Sequence, residues 1–242
     1  MADESYSLSV AICAVDETFS LLRTFQKLDA CGGADEYLFV LSKTCTEGCL
    51  DTVKKICARE DCRWLYQPGK GFGDALQTVF REVNGTHVVV WSADEATDVA
   101  SFPEMARLSR ENPEKIVKIS RFLHPEGFAD YGRLKQAANR VSQRCFGLLY
   151  RSSLTEFTNP TQIAPVSVYR GIRWERAGFE MTTEMVFKPL RLGVRFLEVP
   201  TKNVKREEGR SHRNTAAVFR YYYMILKIRL TDPKKLATET PE

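Results

Sequence analysis

His87-Val88-Val89-Val90-Trp91 is an apolar run that empties straight into Ser92-Ala93-Asp94. A strand that is apolar at successive positions is buried on both faces, as in a parallel sheet covered by helices. Such a sheet binds ligands beyond the carboxyl ends of its strands. A carboxylate at that point therefore stands on the working rim.

The flanking sequence repeats the arrangement. Residues 8–15 read as a buried strand, and 19–28 as a helix with apolar residues at 19, 21, 22, 25 and 28. A strand at 37–41, a helix at 49–59, a strand at 63–66 and a helix at 74–83 lead up to the run at 87–91. This alternation predicts parallel βαβ units, with the loops 16–18, 42–48, 67–73 and 92–99 on one face. Beyond Asp94 the pattern is less regular. Helices are predicted at 102–110, with Pro103 in the first turn, and at 131–150, 182–191 and 218–230. Strands are predicted at 115–120 and 194–199, with a short one at 167–169 after a loop over 152–167.

With 242 residues, 43% hydrophobic and 27% charged, the chain suits one large α/β domain, and no Pro/Gly/Ser-rich linker divides it. No apolar stretch approaches the roughly 20 residues of a membrane span. The acidic start Met1-Ala2-Asp3-Glu4 lacks the layout of a signal peptide, so a cytoplasmic protein is expected. The net charge of +4 is uneven: residues 202–235 hold ten Lys/Arg against three acids. That end suits a polyanionic partner, whether a diphosphate, an anionic membrane surface or nucleic acid, or is a solvated basic helix. Seven cysteines without a secretory context are expected to be reduced. Cys45, Cys49, Cys57 and Cys62 offer four thiolates, but their spacing favours small apolar side chains over a zinc site.

Several segments carry polar groups suited to the rim. Glu17 ends the first strand with a carboxylate able to accept bonds from hydroxyls or N–H groups. Gly69-Lys70-Gly71-Phe72-Gly73 lets backbone approach a ligand closely, ahead of a helix N-terminus that favours an anion. Arg206-Glu207-Glu208-Gly209-Arg210-Ser211-His212 is a basic loop of the kind that can grip phosphate. His87 and His124 have no partner in the sequence and read as structural, and Asn84-Gly85-Thr86 reads as a tight turn.

In order and content these pieces resemble the family-2 glycosyltransferases of the A-type nucleotide-sugar fold. Within that family the chain looks like the dolichol- and polyprenyl-phosphate sugar transferases. The likeness spans residues 7–212 and implies a three-layer α/β domain with a mixed, mostly parallel central sheet. A basic aromatic helix and tail at 213–242 would follow it, with Tyr221, Tyr222, Tyr223, Ile225 and Leu226 either at a lipid interface or packed on the domain.

The resemblance assigns roles residue by residue. Cys13, Val15, Asp16 and Glu17 stand where the family writes Pro-x-Tyr-Asn-Glu at the nucleoside, of which only Glu17 is retained. Ser42-Lys43 replaces the base-reading Asp-Asp. Lys70 and Ala93 would lie near the nucleotide, and Arg206 and Ser211 on the phosphates. Ser92 and Asp94 replace an Asp-x-Asp that holds Mg²⁺ or Mn²⁺ on the diphosphate, with Ala96 in place of a further ligand and Glu95 or Asp98 available as substitutes. Glu184 matches a helix-borne acid of the site in the helix–Gly193–strand–Glu198-Val199-Pro200 unit. Arg121, in Ile119-Ser120-Arg121, would meet an acceptor phosphate; an acceptor hydroxyl would instead call for a base such as Glu156 or Asp130.

The implied activity is inverting, metal-assisted transfer of a sugar from a nucleoside diphosphate to an acceptor such as polyprenyl phosphate. It would take place in the cytoplasm or at the inner membrane face, without nucleic acid. The motif changes leave a second reading open: a scaffold that binds a nucleotide sugar or a partner protein without turnover.

Overall fold

The computed structural model describes residues 5–128, 132–175, 178, 180–202, 204 and 215–238. The strands β1 (Leu8–Ala14), β2 (Glu36–Leu41), β3 (Cys62–Tyr66) and β4 (His87–Ser92) alternate with helices α1 (Phe19–Cys31), α2 (Glu47–Ile56) and α3 (Phe72–Glu82). Then come α4 (Phe102–Glu111), β5 (Ile116–Ser120), α5 (Arg133–Tyr150), β6 (Gln162–Pro165), α6 (Val166–Arg170), α7 (Met181–Arg191), β7 (Phe196–Pro200), α8 (Thr215–Leu230) and α9 (Pro233–Leu236). One seven-stranded sheet runs in the order β3-β2-β1-β4-β6-β5-β7. Every neighbouring pair is parallel except the two made by β6. The mixed, mostly parallel sheet expected from the sequence is therefore present.

Alternate residues of the central strands feed two cores. Leu8, Val10, Ile12, Phe39 and Trp91 face Leu21, Phe25, Val53, Phe102 and Met105 of α1, α2 and α4. Ala11, Leu38, Val40 and Val88 face Leu76, Val79 and Phe80 of α3 and Met181 and Met185 of α7. A third cluster, with Phe146, Phe157, Phe187, Met224, Ile225 and Ile228, binds α8 to α5 and α7. Tyr150 Oη donates to Ile225 O at 2.7 Å, and Arg229 Nε to Leu149 O at 2.7 Å. Ile225 is thus core, whereas Tyr222, Tyr223 and Leu226 remain exposed. From Arg220 onward α8 packs on the domain along one face and leaves the other in solvent.

The loop expected over 152–167 contains β6, and the residues expected as a strand at 167–169 are helical. The strand is four residues long and ends at Pro165. Proline is uncommon inside a sheet, but here it is the last residue of the strand, and the next backbone N–H, from Val166, donates to Thr86 O at 2.9 Å.

At the opposite end from the rim, one carboxylate ties four segments together. Glu36 accepts from Arg63 Nε at 2.7 Å, Asn84 Nδ2 at 2.8 Å and Asn84 N at 2.9 Å, and from Ser9 Oγ. Gly85 is required there, because a Cβ would sit 2.9 Å from Ser9 N. The 84–86 segment, expected as a tight turn, is a bend between α3 and β4, with the Asn84 amide engaged by Glu36. Burial alone would raise the Glu36 carboxyl; the bonds from Ser9, Asn84 and Arg63 outweigh it and hold it below its ordinary value of 4.5. A depressed carboxyl stabilises the fold above its unfolded value and loses that contribution as pH falls through the folded one. Glu36→Ala is expected to cost about 2–3 kcal/mol in urea unfolding at neutral pH. It should also flatten the wild-type loss of stability below pH 4.5.

Candidate active site

The carboxyl ends of β1–β5 and β7, together with the start of the antiparallel β6, open onto one rim. The first loops are bonded to one another. Thr46 N donates to Val15 O at 2.9 Å, Ser42 N to Ala14 O at 3.3 Å, and Lys43 Nζ to Pro68 O at 3.0 Å. Cys13 is paired in register with Ser92 on one side and Val40 on the other. Its thiol is pushed up to about 12, chiefly by burial and secondarily by the charge of Glu17. Val15 is 45% exposed. The Glu17 carboxylate closes its own turn, accepting from Val15 N at 2.9 Å and Asp16 N at 3.3 Å.

Lys70 is presented by a rigid loop. Buried Gln67 donates through Nε2 to Gly69 O at 3.3 Å and Gly71 O at 3.2 Å, and Asp74 Oδ2 accepts from Gly69 N at 2.8 Å. Gly71 has φ 85°, a left-handed conformation that favours glycine, and caps the start of α3. Lys70 is exposed and has no ion-pair partner among the described residues.

At the end of β4, Ala93 enters the core and Asp94 is 8% exposed. Asp94 Oδ1 accepts from Ala96 N at 3.1 Å and from the Ser92 hydroxyl. Ser92 therefore orients the remaining carboxylate. The two substitutes offered by the sequence are engaged elsewhere. Glu95, at φ 53°, sends its carboxylate to Lys27 and Arg23 of α1, and Asp98 caps Ala100 N at 3.1 Å.

The end of β4 offers one carboxylate and one hydroxyl oxygen, donors that a hard divalent cation accepts. Among the described residues no three His, Cys, Asp or Glu converge to hold a metal by themselves. The donor set fits a cation shared with a diphosphate and completed by its oxygens and water, not one caged by protein alone. The four clustered cysteines belong to the hydrophobic core: Cys49 and Cys62 are buried in it, and Cys45 and Cys57 pack against it. Burial pushes the thiols of Cys49 and Cys62 up to about 12 and that of Cys57 to about 11.

Beyond β5, Arg121 and Glu156 are joined. Arg121 N donates to Glu156 Oε2 at 2.7 Å and Arg121 Nε to Oε1 at 2.9 Å, with a further contact from Nη2. The Glu156 side chain is fully buried. Lys118, also fully buried, donates to Glu156 O at 2.7 Å and Asn159 O at 3.1 Å. Glu198 completes the unit, accepting from Thr155 N at 2.8 Å and Glu156 N at 3.0 Å. The candidate base Glu156 is thus committed to the candidate acceptor ligand Arg121. Sequence reasoning missed Lys118 and gave Glu198 no role. The available signal was a lone charge inside each of two otherwise apolar strands, since an unpaired charge is rarely buried.

The turn carrying Arg121 depends on Gly127, where a Cβ would lie 1.8 Å from Arg121 O. Gly127→Ala must displace that backbone. It is expected to cost about 2–4 kcal/mol in urea unfolding, against near neutrality for an alanine at exposed Gly132.

Glu184 occupies the first turn of α7 and is fully buried. It accepts from Lys188 Nζ at 2.7 Å and Glu175 N at 3.0 Å. His87 lies at the far end of β4, bonded to Pro113 O at 2.8 Å and stacked on Tyr6; burial lowers its pKa. His124 accepts from Glu126 N at 3.0 Å within the turn after β5. Arg206, Ser211 and Asp130 lie outside the described residues.

Solved structures with the same fold cover nearly all of the chain. Glucosyl-3-phosphoglycerate synthase from Mycobacterium tuberculosis, in complex with Mn²⁺, uridine diphosphate and phosphoglyceric acid, is 12% identical with a TM-score of 0.67, over 93% of this chain and 78% of that one. The same enzyme with Mg²⁺ and uridine diphosphate gives 13% and 0.65 over 93% and 78%. A further mycobacterial protein gives 15% and 0.66 over 93% and 74%. Among curated proteins no sequence matches this chain. The family model for glycosyl transferase family 2 matches residues 9–173, which span β1 to the end of α6. The chain belongs to glycosyl transferase family 2.

Proposed function

We propose that the rim binds a nucleoside-diphosphate sugar and transfers the sugar to an acceptor, with inversion at the anomeric carbon. The observation that carries this reading is the Asp94 carboxylate, fixed by Ser92 and Ala96 N at the end of β4, on the rim that also presents Lys70. Uridine diphosphate is the first nucleotide to test, because the M. tuberculosis enzyme of like fold is complexed with it. Asp94 and Ser92 would hold a divalent cation together with the diphosphate. That cation, when bound, offsets charge on the departing nucleotide. Lys70 would add positive charge on the same side, and Arg206 and Ser211 would bind the phosphates.

Of the two candidate bases, Glu156 is the one among the described residues, and its engagement bears on the acceptor. A hydroxyl nucleophile needs a base within hydrogen-bond reach, and this carboxylate is tied to Arg121 and fully buried. A phosphate oxygen is already ionised and needs none. This favours a phosphate-bearing acceptor such as a polyprenyl phosphate, with Arg121 beside it.

The test is incubation with a panel of nucleotide sugars, Mn²⁺ and polyprenyl phosphate in detergent, with product followed by mass spectrometry and its anomeric configuration by NMR. A glycosyl phosphate of inverted configuration is expected. Absence of product with every donor, while nucleotide binding persists, would leave a binding scaffold and refute transfer.

A further inference from the structure

Three arginines line a groove beside the rim. The groove, about 780 Å³, lies between α5, the turn after β5 and the segment leading to Glu156. Its lining includes Phe122, Arg140, Arg144, Leu148, Arg151 and Thr155, and no acidic residue among the described residues. Arg59, Arg63, Arg107 and Arg121 are each bonded to carboxylates. By contrast, Arg140, Arg144 and Arg151 have no guanidinium partner among the described residues. The sequence of α5 contains no Asp or Glu to neutralise them.

Two further features belong to the same groove. Arg151 caps α5 at φ 52° and ψ 44°, a left-handed conformation that glycine or asparagine adopts at lower cost. Leu148, 82% exposed in the lining, continues along α5 into Val141 and Leu134, which are 60% and 85% exposed. The spacing of seven residues puts these three on one stripe of the helix.

We infer that the Arg140–Arg144–Arg151 groove binds the phosphate group of an anionic ligand. Guanidinium groups match phosphate oxygens bidentately, and among the described residues no acid in the lining competes for them. The groove is contiguous with the rim, since Thr155 in its wall bonds Ser120 Oγ at 2.6 Å and Glu198 Oε1 at 3.0 Å. A phosphate ester held there lies next to the Arg121–Glu156 pair. Its identification as the acceptor rests on the transfer reading above, whereas the binding itself does not. The phosphate is either lipid-borne, in which case the Leu134–Val141–Leu148 stripe meets the chain, or carried by a soluble ester.

The full chain and its Arg140→Gln/Arg144→Gln/Arg151→Gln variant would be tested in two arms. One is cosedimentation with vesicles of phosphatidylcholine and phosphatidic acid in equal parts, against phosphatidylcholine alone. The other is titration with glycerol 3-phosphate. All three side chains are exposed, so the variant should keep its unfolding temperature. Wild type should bind in at least one arm, and the variant should bind about a hundredfold more weakly. Vesicle binding that glycerol 3-phosphate does not displace assigns the lipid source; binding of glycerol 3-phosphate alone assigns the soluble one. Failure of wild type in both arms, or equal binding by the variant, overturns the proposal. Uridine diphosphate binding, measured on both proteins, should be unchanged by the substitutions. If it is absent from both while the groove binds, the transfer reading fails and the groove stands.

Discussion

Asp94→Asn is expected to fold normally and to turn over its nucleotide sugar on the order of a thousandfold more slowly than wild type. The substitution keeps the shape and the Oδ1 acceptor for Ala96 N and the Ser92 hydroxyl, so the turn after β4 should survive. What is lost is the negative charge, on a rim where Glu95 and Asp98 are already engaged. Ser92→Ala is expected to cost about tenfold, because it removes an orienting bond and leaves the carboxylate. The order of these two effects separates a supporting serine from a ligating one. Steady-state kinetics on both variants, with unfolding temperatures as controls, decides it.

The second large effect is structural. Glu156→Ala leaves Arg121 and fully buried Lys118 without the carboxylate that compensates them, and is expected to cost about 3–5 kcal/mol. Glu156→Gln retains an acceptor for Arg121 N and should cost less. Burial lowers Lys118 to about 8, with Glu156 and Glu198 opposing the shift. The folded value lies below the unfolded 10.5. Between them the unfolded chain binds more protons, so the Lys118 contribution to stability grows as pH rises from about 8 to 10.5. Lys118→Met should abolish that rise. In Glu156→Ala the rise should begin at lower pH, since the opposing charge is gone. Urea titrations across this range read both.

The two halves of the fold were unequally legible. β1, β2 and β4 announce themselves as buried, mostly apolar runs, and the short, half-buried β3 is read from its place between two helices of clear period. β6 does not: it is four residues, begins with Gln162 and ends with Pro165, and owes its place to pairing with β4 and β5. A strand specified by tertiary contacts leaves little local pattern. The rim was legible as a list and less so as a geometry. Asp94, Glu17 and Lys70 could be named from their positions after strands. That Ser92 orients Asp94, that Glu17 caps its own turn, and that Glu95 swings back to Lys27 are matters of backbone direction, invisible in spacing. Likewise Arg121 and Glu156 were both visible as charged residues, but their pairing joins segments 35 residues apart.

The central claim is that the end of β4 and the glycine loop together receive a nucleoside diphosphate with a shared cation. Isothermal titration of the full chain with uridine diphosphate and its guanosine, adenosine and cytidine counterparts, each with and without Mn²⁺, tests it most directly. Saturable binding of one nucleotide that requires Mn²⁺ is expected, with negligible uptake of Mn²⁺ alone, and Asp94→Ala is expected to lose the Mn²⁺ requirement together with most of the affinity. Absence of binding by all four nucleotides, or Mn²⁺-dependent binding left intact in Asp94→Ala, would contradict it.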